Sequence, residues 1–155
     1  MSDQEPLANP EERNRIRLAG CVIADGDGKI LLLHRNRENS VQWELPGGKF
    51  DPKQDKDLRD IAVREAWEEL GVEVEIIGKM GLDSFEERGD TLDYTWYWAK
   101  IIKGDPKPFE DEGFDQVGYF SWQQIIEMRD QLSPNMKNLL RAYEDKKLKL
   151  EPPQP

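Results

Sequence analysis

Two stretches of the chain alternate apolar and polar residues with a period of two, the pattern of a strand that buries one face. In residues 91–102, Leu92, Tyr94, Trp96 and Trp98 share one side, and in the segment that begins at 72, Val72, Val74 and Ile76 do. Two earlier runs, IRLAGCVIA (16–24) and KILLLHR (29–35), are almost continuously apolar. The DGDG between them is strong turn chemistry, so together they predict a β-hairpin. Strand-like flanks, and a lysine at the third ligand position, set DGDG apart from a calcium-binding loop between helices. NRENSVQW (36–43) reads as a polar loop and ELPGGKFDPKQ (44–54) as a turn-rich connection. Residues 55–71 change to the period of a helix, with an aspartate near the start and Gly71 as the stop. A turn at 86–90, a loop at 103–115, a short strand QVGYFSW and a helix QQIIEMRDQL follow. A further helix at 133–147 opens on Ser-Pro and carries Met136, Leu139, Leu140 and Tyr143 on one face. No segment repeats. This order predicts an α/β fold in which helices pack on a mixed β-sheet. The domain is expected over 15–147, with a flexible polar arm at 1–14 and a loose tail at 148–155.

The central helix carries the candidate chemistry. At about 100° per residue, Leu58, Ile61 and Ala62 lie in the same arc as Glu65, Glu68 and Glu69. Val63, Ala66, Trp67 and Leu70 form a second apolar arc beside it. The carboxylates therefore continue an apolar face and are expected at the edge of a buried surface. Like charges at that spacing repel, so something cationic has to compensate them. One compensation is Arg64, four residues from both Asp60 and Glu68, on a solvated acidic face. The other is a divalent cation: Mg²⁺ and Mn²⁺ prefer carboxylate oxygens, and Mg²⁺ keeps waters that a phosphate can replace. Just upstream, the glycines of LPGGK let the backbone approach a ligand and leave a carbonyl exposed.

At these residues the chain resembles a known family. GGKFDPKQDKDLRDIAVREAWEELGV (47–72) is similar to the signature box of MutT-like Nudix hydrolases, and WELPGGK is typical of the same family. Arg64, Glu65, Glu68, Glu69, Gly71 and Val72 match the second half of the box at its spacing. The resemblance implies a Nudix-type α/β/α sandwich with a mixed β-sheet. It implies a pyrophosphohydrolase acting on acid anhydrides in phosphorus-containing compounds, with Mg²⁺ or Mn²⁺ as cofactor. The substrate would be a nucleoside triphosphate, a nucleotide sugar, a dinucleotide or a capped RNA end. Glu65, Glu68 and Glu69 would hold the metal together with the Gly47 carbonyl, and Glu65 or Glu68 would double as the base. Arg64 would orient Glu65, and Lys49 would approach the phosphate. Arg35, which follows an apolar strand, is a further candidate for that cleft, beside the alternative of a plain surface position. From the acidic loop 103–115, Glu112 is the choice for a further metal ligand.

The box departs from the family pattern in two ways. Arg64 stands sixteen residues after Gly48, two more than the pattern has, and the first box glutamate is missing. Counted from Gly48 its place is Gln54, and counted back from Arg64 it is Lys56, with Asp55 and Asp57 adjacent. If the extra residues extend the loop, the register from Arg64 holds, and Lys56→Glu is the more effective restoration. The altered box also leaves a non-catalytic nucleotide-binding or interaction module as the alternative. A prenyl-diphosphate isomerase is a third reading, for which Cys21 in its apolar strand is a poor catalytic residue.

Charge narrows the partners. The chain has 155 residues and a formal net charge of −10, which repels duplex nucleic acid and anionic membranes at long range. An anionic substrate then needs local positive charge or a metal. No apolar run is of signal-peptide or membrane-spanning character, and the lone cysteine reads as a buried thiol, so a cytoplasmic setting is the default. A homodimer is compatible with all of this. Among aromatic residues, Tyr94, Trp96 and Trp98 are expected mainly in the core, while Trp43 and Phe85 are candidates to contact a base. His34 reads as strand packing or a polar edge.

Overall fold

The computed structural model describes residues 14–152. Within them run strands β1 (Arg15–Ile23), β2 (Ile30–Arg37), β3 (Ser40–Glu44) and β4 (Gly47–Lys49), followed by helix α1 (Leu58–Leu70). Strands β5 (Glu73–Glu87), β6 (Asp90–Lys103) and β7 (Phe114–Phe120) and helices α2 (Trp122–Glu127) and α3 (Pro134–Glu144) complete the order. The strands form a four-stranded mixed sheet, β4-β1-β6-β5, and a three-stranded antiparallel sheet, β3-β2-β7. In the first, β1 runs parallel to β6 while β4 and β5 are antiparallel to their neighbours.

Alternation along the central strands assigns their side chains to two cores. Ala19, Cys21 and Ile23 of β1, Leu31 and Leu33 of β2, and Tyr97 and Ala99 of β6 pack with Ile61, Ala62, Ala66 and Leu70 of α1. The intervening Val22, Ile30, Leu32, Tyr94, Trp96 and Trp98 pack with Ile125, Met136, Leu139 and Leu140 of α2 and α3. The strands are thus covered by helix on both faces, the expected α/β/α sandwich. Cys21 is buried in the first core, where its Sγ lies 3.2 Å from the Ala62 carbonyl and burial pushes its thiol up to about 12.

Several local expectations change. The β1–β2 hairpin does not form as a ladder: its strands meet only at a bridge between Ala24 and Ile30, then diverge into different sheets. Both runs are apolar on both faces, so each can be central in its own sheet. Residues 40–43, read as loop, belong to β3, which pairs with β2 from Leu33↔Glu44 to Arg37↔Ser40. Bulges near Ile76/Gly78 and Lys79/Gly81 shift β5, so that Val74 and Ile76 face one core and Met80 the other. Helix α1 starts at Leu58, because residues 55–57 form its cap. Asp57 accepts from the N–H groups of Arg59 and Asp60, and Asp60 accepts back from Asp57. Trp67 is 62% exposed, so the second apolar arc does not extend to it. Helix α2 ends at Glu127 and continues as a separate 3-10 turn, Arg129–Gln131.

The arm expected at 1–14 lies outside the described residues apart from Asn14, as do residues 153–155 of the tail. At the start of that tail segment, Lys149 donates its N–H to the Met80 carbonyl at 2.9 Å and accepts from Trp98 Nε1 at 2.8 Å. Among the described residues no helix is long and apolar enough to cross a membrane.

Candidate active site

Strand β4 and the last two turns of α1 meet edge to face. β4 pairs with β1 through Leu18↔Lys49, Ala19↔Gly48 and Gly20↔Gly47, which presents the two glycines to the helix. The Gly47 N–H donates to Glu69 Oε1 at 3.1 Å. A β-carbon on Gly48 would stand 2.7 Å from the Glu65 carboxyl carbon, so a side chain here would displace the Glu65 carboxylate.

Arg64 ties the three contributing segments together. Its Nη1 lies 3.1 Å from Glu65 and 3.4 Å from Glu68, while Nη2 reaches the Lys49 carbonyl at 3.2 Å. Nε and Nη2 engage both oxygens of Asp55 at 3.0 and 2.8 Å. The Asp55 side chain is 1% exposed and accepts the Asp51 N–H at 2.8 Å. These bonds hold the Asp55 carboxyl below the usual carboxylate range and the Arg64 guanidinium above its usual value, with Asp55 as the leading cause of the latter.

The glutamates differ in environment. Burial pushes the Glu69 carboxyl well up, and the Glu65 charge and a hydrogen bond to Glu65 add to that; the Gly47 N–H opposes it. Burial also raises Glu65, against the opposing bonds from Glu69 and Arg64. Ionisation of Glu65 therefore opposes ionisation of Glu69, as close carboxylates do. Glu68 is the more exposed, at 39% of its side chain. Among the described residues no three acidic, histidine or cysteine side chains are gathered at ligating distance. The donor set nevertheless suits a hard divalent cation. It is all oxygen, comes from one face of one helix, and includes the 5% exposed Glu69, which makes no ion pair among the described residues.

A cavity of about 360 Å³ opens beside Gly47 and Gly48. Its polar lining includes Arg35, Glu44 and Lys49, and its apolar lining Leu18, Phe85, Leu92 and Tyr94. Arg35 is bidentate to Glu44, its Nη2 at 3.0 Å, and sits 4.6 Å above the Phe114 ring; Gln42 also donates to Glu44. The hydrogen bond to Glu44 raises the Arg35 pKa first, and the charges of Glu44, Glu69 and Glu112 add to it against the effect of burial.

Other expected residues sort clearly. Glu112 stands on a 3-10 turn of a loop pinned to the end of α1, where Lys107 donates to the Leu70 carbonyl and Phe109 to that of Glu69. Asp115 instead pairs with His34 at 2.7 Å and accepts from Asn36, which places both His34 and Asp115 outside the glutamate cluster. Phe85 and Tyr94 line the cavity, whereas Trp43 packs against His34 and Phe120. Trp96 and Trp98 are core residues. Sequence reasoning missed Glu44, whose only signal was its place inside WELPGGK, and it did not choose Asp55 over Asp57.

The family model for the NUDIX domain matches residues 14–143. This chain belongs to the Nudix family. The Nudix chain is 43% identical over 58 residues to a CTP pyrophosphohydrolase of Escherichia coli (strain K12), covering 36% of this chain and 42% of that protein. It is 34% identical over 70 residues to an RNA pyrophosphohydrolase of Roseobacter denitrificans, covering 43% and 42%. The match therefore spans less than half the length of either relative. The fold is similar to that of a MutT protein from Methanosarcina mazei Go1, with a TM-score of 0.73 at 24% identity over 87% of this chain and 96% of that one. In this Nudix chain neither position counted for the absent box glutamate reaches Arg64. Gln54 donates to Asp51 at 2.7 Å, and exposed Lys56 gives its backbone N–H to Asp60.

Proposed function

We propose that this Nudix chain hydrolyses a diphosphate linkage in a nucleoside diphosphate derivative, with Mg²⁺ or Mn²⁺ as cofactor. The observation that carries the reading is that Gly47 and Gly48, which contact Glu69 and Glu65, also line a cavity that holds Arg35, Lys49, Phe85 and Tyr94. Glu65, Glu68 and Glu69 would hold the metal, with the Gly47 carbonyl and Glu112 completing the set. A bound divalent cation supplies charge neutralisation at the diphosphate oxygens and acidifies water. Glu65, held by Arg64, and Glu68, open to solvent, are the two carboxylates able to take a proton from attacking water. Lys49 and the Glu44-braced Arg35 would contact phosphate oxygens, and Phe85 would lie along the base. The names of the similar CTP and RNA pyrophosphohydrolases support a nucleotide as substrate.

The test is a panel of nucleoside triphosphates, nucleotide sugars, dinucleotides and triphosphate-ended or capped RNA, each with Mg²⁺ or Mn²⁺. Metal-dependent release of phosphate or pyrophosphate, abolished in Glu69→Gln, is expected. Binding of a nucleotide without turnover would favour the non-catalytic module instead, the reading to which the missing glutamate points.

A further inference from the structure

We infer that Asp55 is a positioning residue of this site, fixing the Glu65 carboxylate through Arg64 in place of the absent box glutamate; the inference rests on the hydrolase reading above. A guanidinium is a rigid planar fork, so engaging two of its edges sets the direction of the third. Asp55 takes Nε and Nη2 at 3.0 and 2.8 Å, which leaves Nη1 aimed at Glu65 and Glu68. Asp55 is itself braced by its surroundings. It is buried, its carboxylate accepts the Asp51 N–H, and its own N–H donates to the Asp51 carbonyl at 2.7 Å.

An aspartate is one methylene shorter than a glutamate, so its backbone must come closer to Arg64. The turn from Asp51 to Asp55, closed by the N–H groups of Gln54 and Asp55 on one carbonyl, accommodates the two extra residues while presenting the acid. With no charge at 55, the Arg64 guanidinium would have only Glu65 and Glu68 left as carboxylate partners and would turn more fully onto them. It would then compete for the oxygens a cation needs. Lys56, although at the family position when counted from Arg64, is exposed and points its N–H at the helix cap.

The experiment compares Asp55→Asn, Arg64→Gln, the double variant, Asp57→Asn and Lys56→Glu on the full chain. Four readouts are needed: kcat and KM on the best panel substrate, Mn²⁺ affinity by calorimetry, water exchange of the Arg64 Nε–H by NMR, and Tm. Asp55→Asn should lower kcat or Mn²⁺ affinity by about 10–100-fold, the usual loss when the support of a ligand is removed. KM should change little, and the Arg64 Nε–H should lose its protection. In the Arg64→Gln background the same change should add almost nothing, because the two residues act as one unit. Asp57→Asn, which keeps its cap, should match wild type, and Lys56→Glu should give no gain.

A full, additive loss in the Arg64→Gln background would overturn the inference, as would unchanged kcat and Mn²⁺ affinity in Asp55→Asn. So would a loss that vanishes at temperatures where both proteins are folded. Should Asp55→Asn not fold, Arg64→Lys keeps the charge but cannot be bidentate; an unchanged kcat there overturns it equally. A wild-type chain that binds Mn²⁺ but turns nothing over defeats the hydrolase reading alone, and Mn²⁺ affinity then decides the role of Asp55. A wild-type chain that does neither defeats both.

Discussion

Gly48 and Glu65 occupy one another's space: a β-carbon at 48 would lie 2.7 Å from the Glu65 carboxyl carbon. Where it stands, the glutamate is held by Arg64 Nη1 at 3.1 Å and by a hydrogen bond with Glu69. Gly48→Ala is therefore expected to expel the Glu65 carboxylate while leaving the strand pairing of β4 intact. Activity and Mn²⁺ affinity should fall by about 10–100-fold, with Tm within a few degrees of wild type. Thermal melts alongside Mn²⁺ calorimetry check this, and equal affinity in the two proteins would contradict it.

Glu69→Gln removes a candidate ligand but keeps its shape. The site binds this side chain through the Gly47 N–H and Glu65, both of which an amide can satisfy. A rate loss of about 100-fold or more is expected, the scale of removing a group that stabilises transition-state charge. Stability should hold, because crowding between buried acids is relieved. Loss of the cooperative unfolding transition would count against this assignment.

Arg35 is bound edge-on by Glu44, so its orientation depends on a fork that lysine lacks. Arg35→Lys should raise KM by about 10-fold, in line with the loss of a charged hydrogen bond, with a smaller change in kcat. Steady-state kinetics on the panel substrate measure both, and an unchanged KM would remove Arg35 from the phosphate contacts.

Gly71 ends α1 at φ 70°, and a β-carbon there would lie 3.0 Å from the Phe109 ring. Gly71→Ala should destabilise the protein by about 1–2 kcal/mol for the left-handed conformation. It should also loosen the loop that carries Glu112. A lower urea midpoint at unchanged m-value is the expected signature, with faster amide exchange at Lys107 and Phe109.

Asp93 supplies a pH test away from the candidate site. Burial alone would raise its carboxyl, but the Ser84 hydroxyl and the Arg15 guanidinium, at 2.7 Å, together hold it below the ordinary value. A depressed folded-state pKa adds stability above the unfolded value of about 3.9, and that stability is lost as pH falls through the folded-state value. The gap in urea midpoint between wild type and Asp93→Asn should therefore be full near neutral pH and shrink as pH drops below about 4. A gap that does not change with pH would show that the charge is irrelevant.

Much of this protein is legible in its sequence because the signals are local. Period-two burial along β6, the helical arc of Glu65, Glu68 and Glu69, the Gly71 stop and the Ser-Pro start of α3 each depend on neighbours within a turn or two of the chain. The resemblance to the Nudix box, and with it the family, also rests on one contiguous segment. What the tertiary structure alone decided is long-range. The β1 and β2 runs separate into two sheets because both faces of each are apolar, and no local pattern says which partner each takes. Glu44 and Arg35 converge on the cavity because β2 pairs with β3. Asp55 rather than Asp57 meets Arg64 because a loop turn folds it beneath the helix, while Asp57 is consumed by the cap. Spacing along a chain fixes which residues share a helix face. It cannot fix how a loop closes, since that depends on backbone hydrogen bonds made only once strand and helix are already in place.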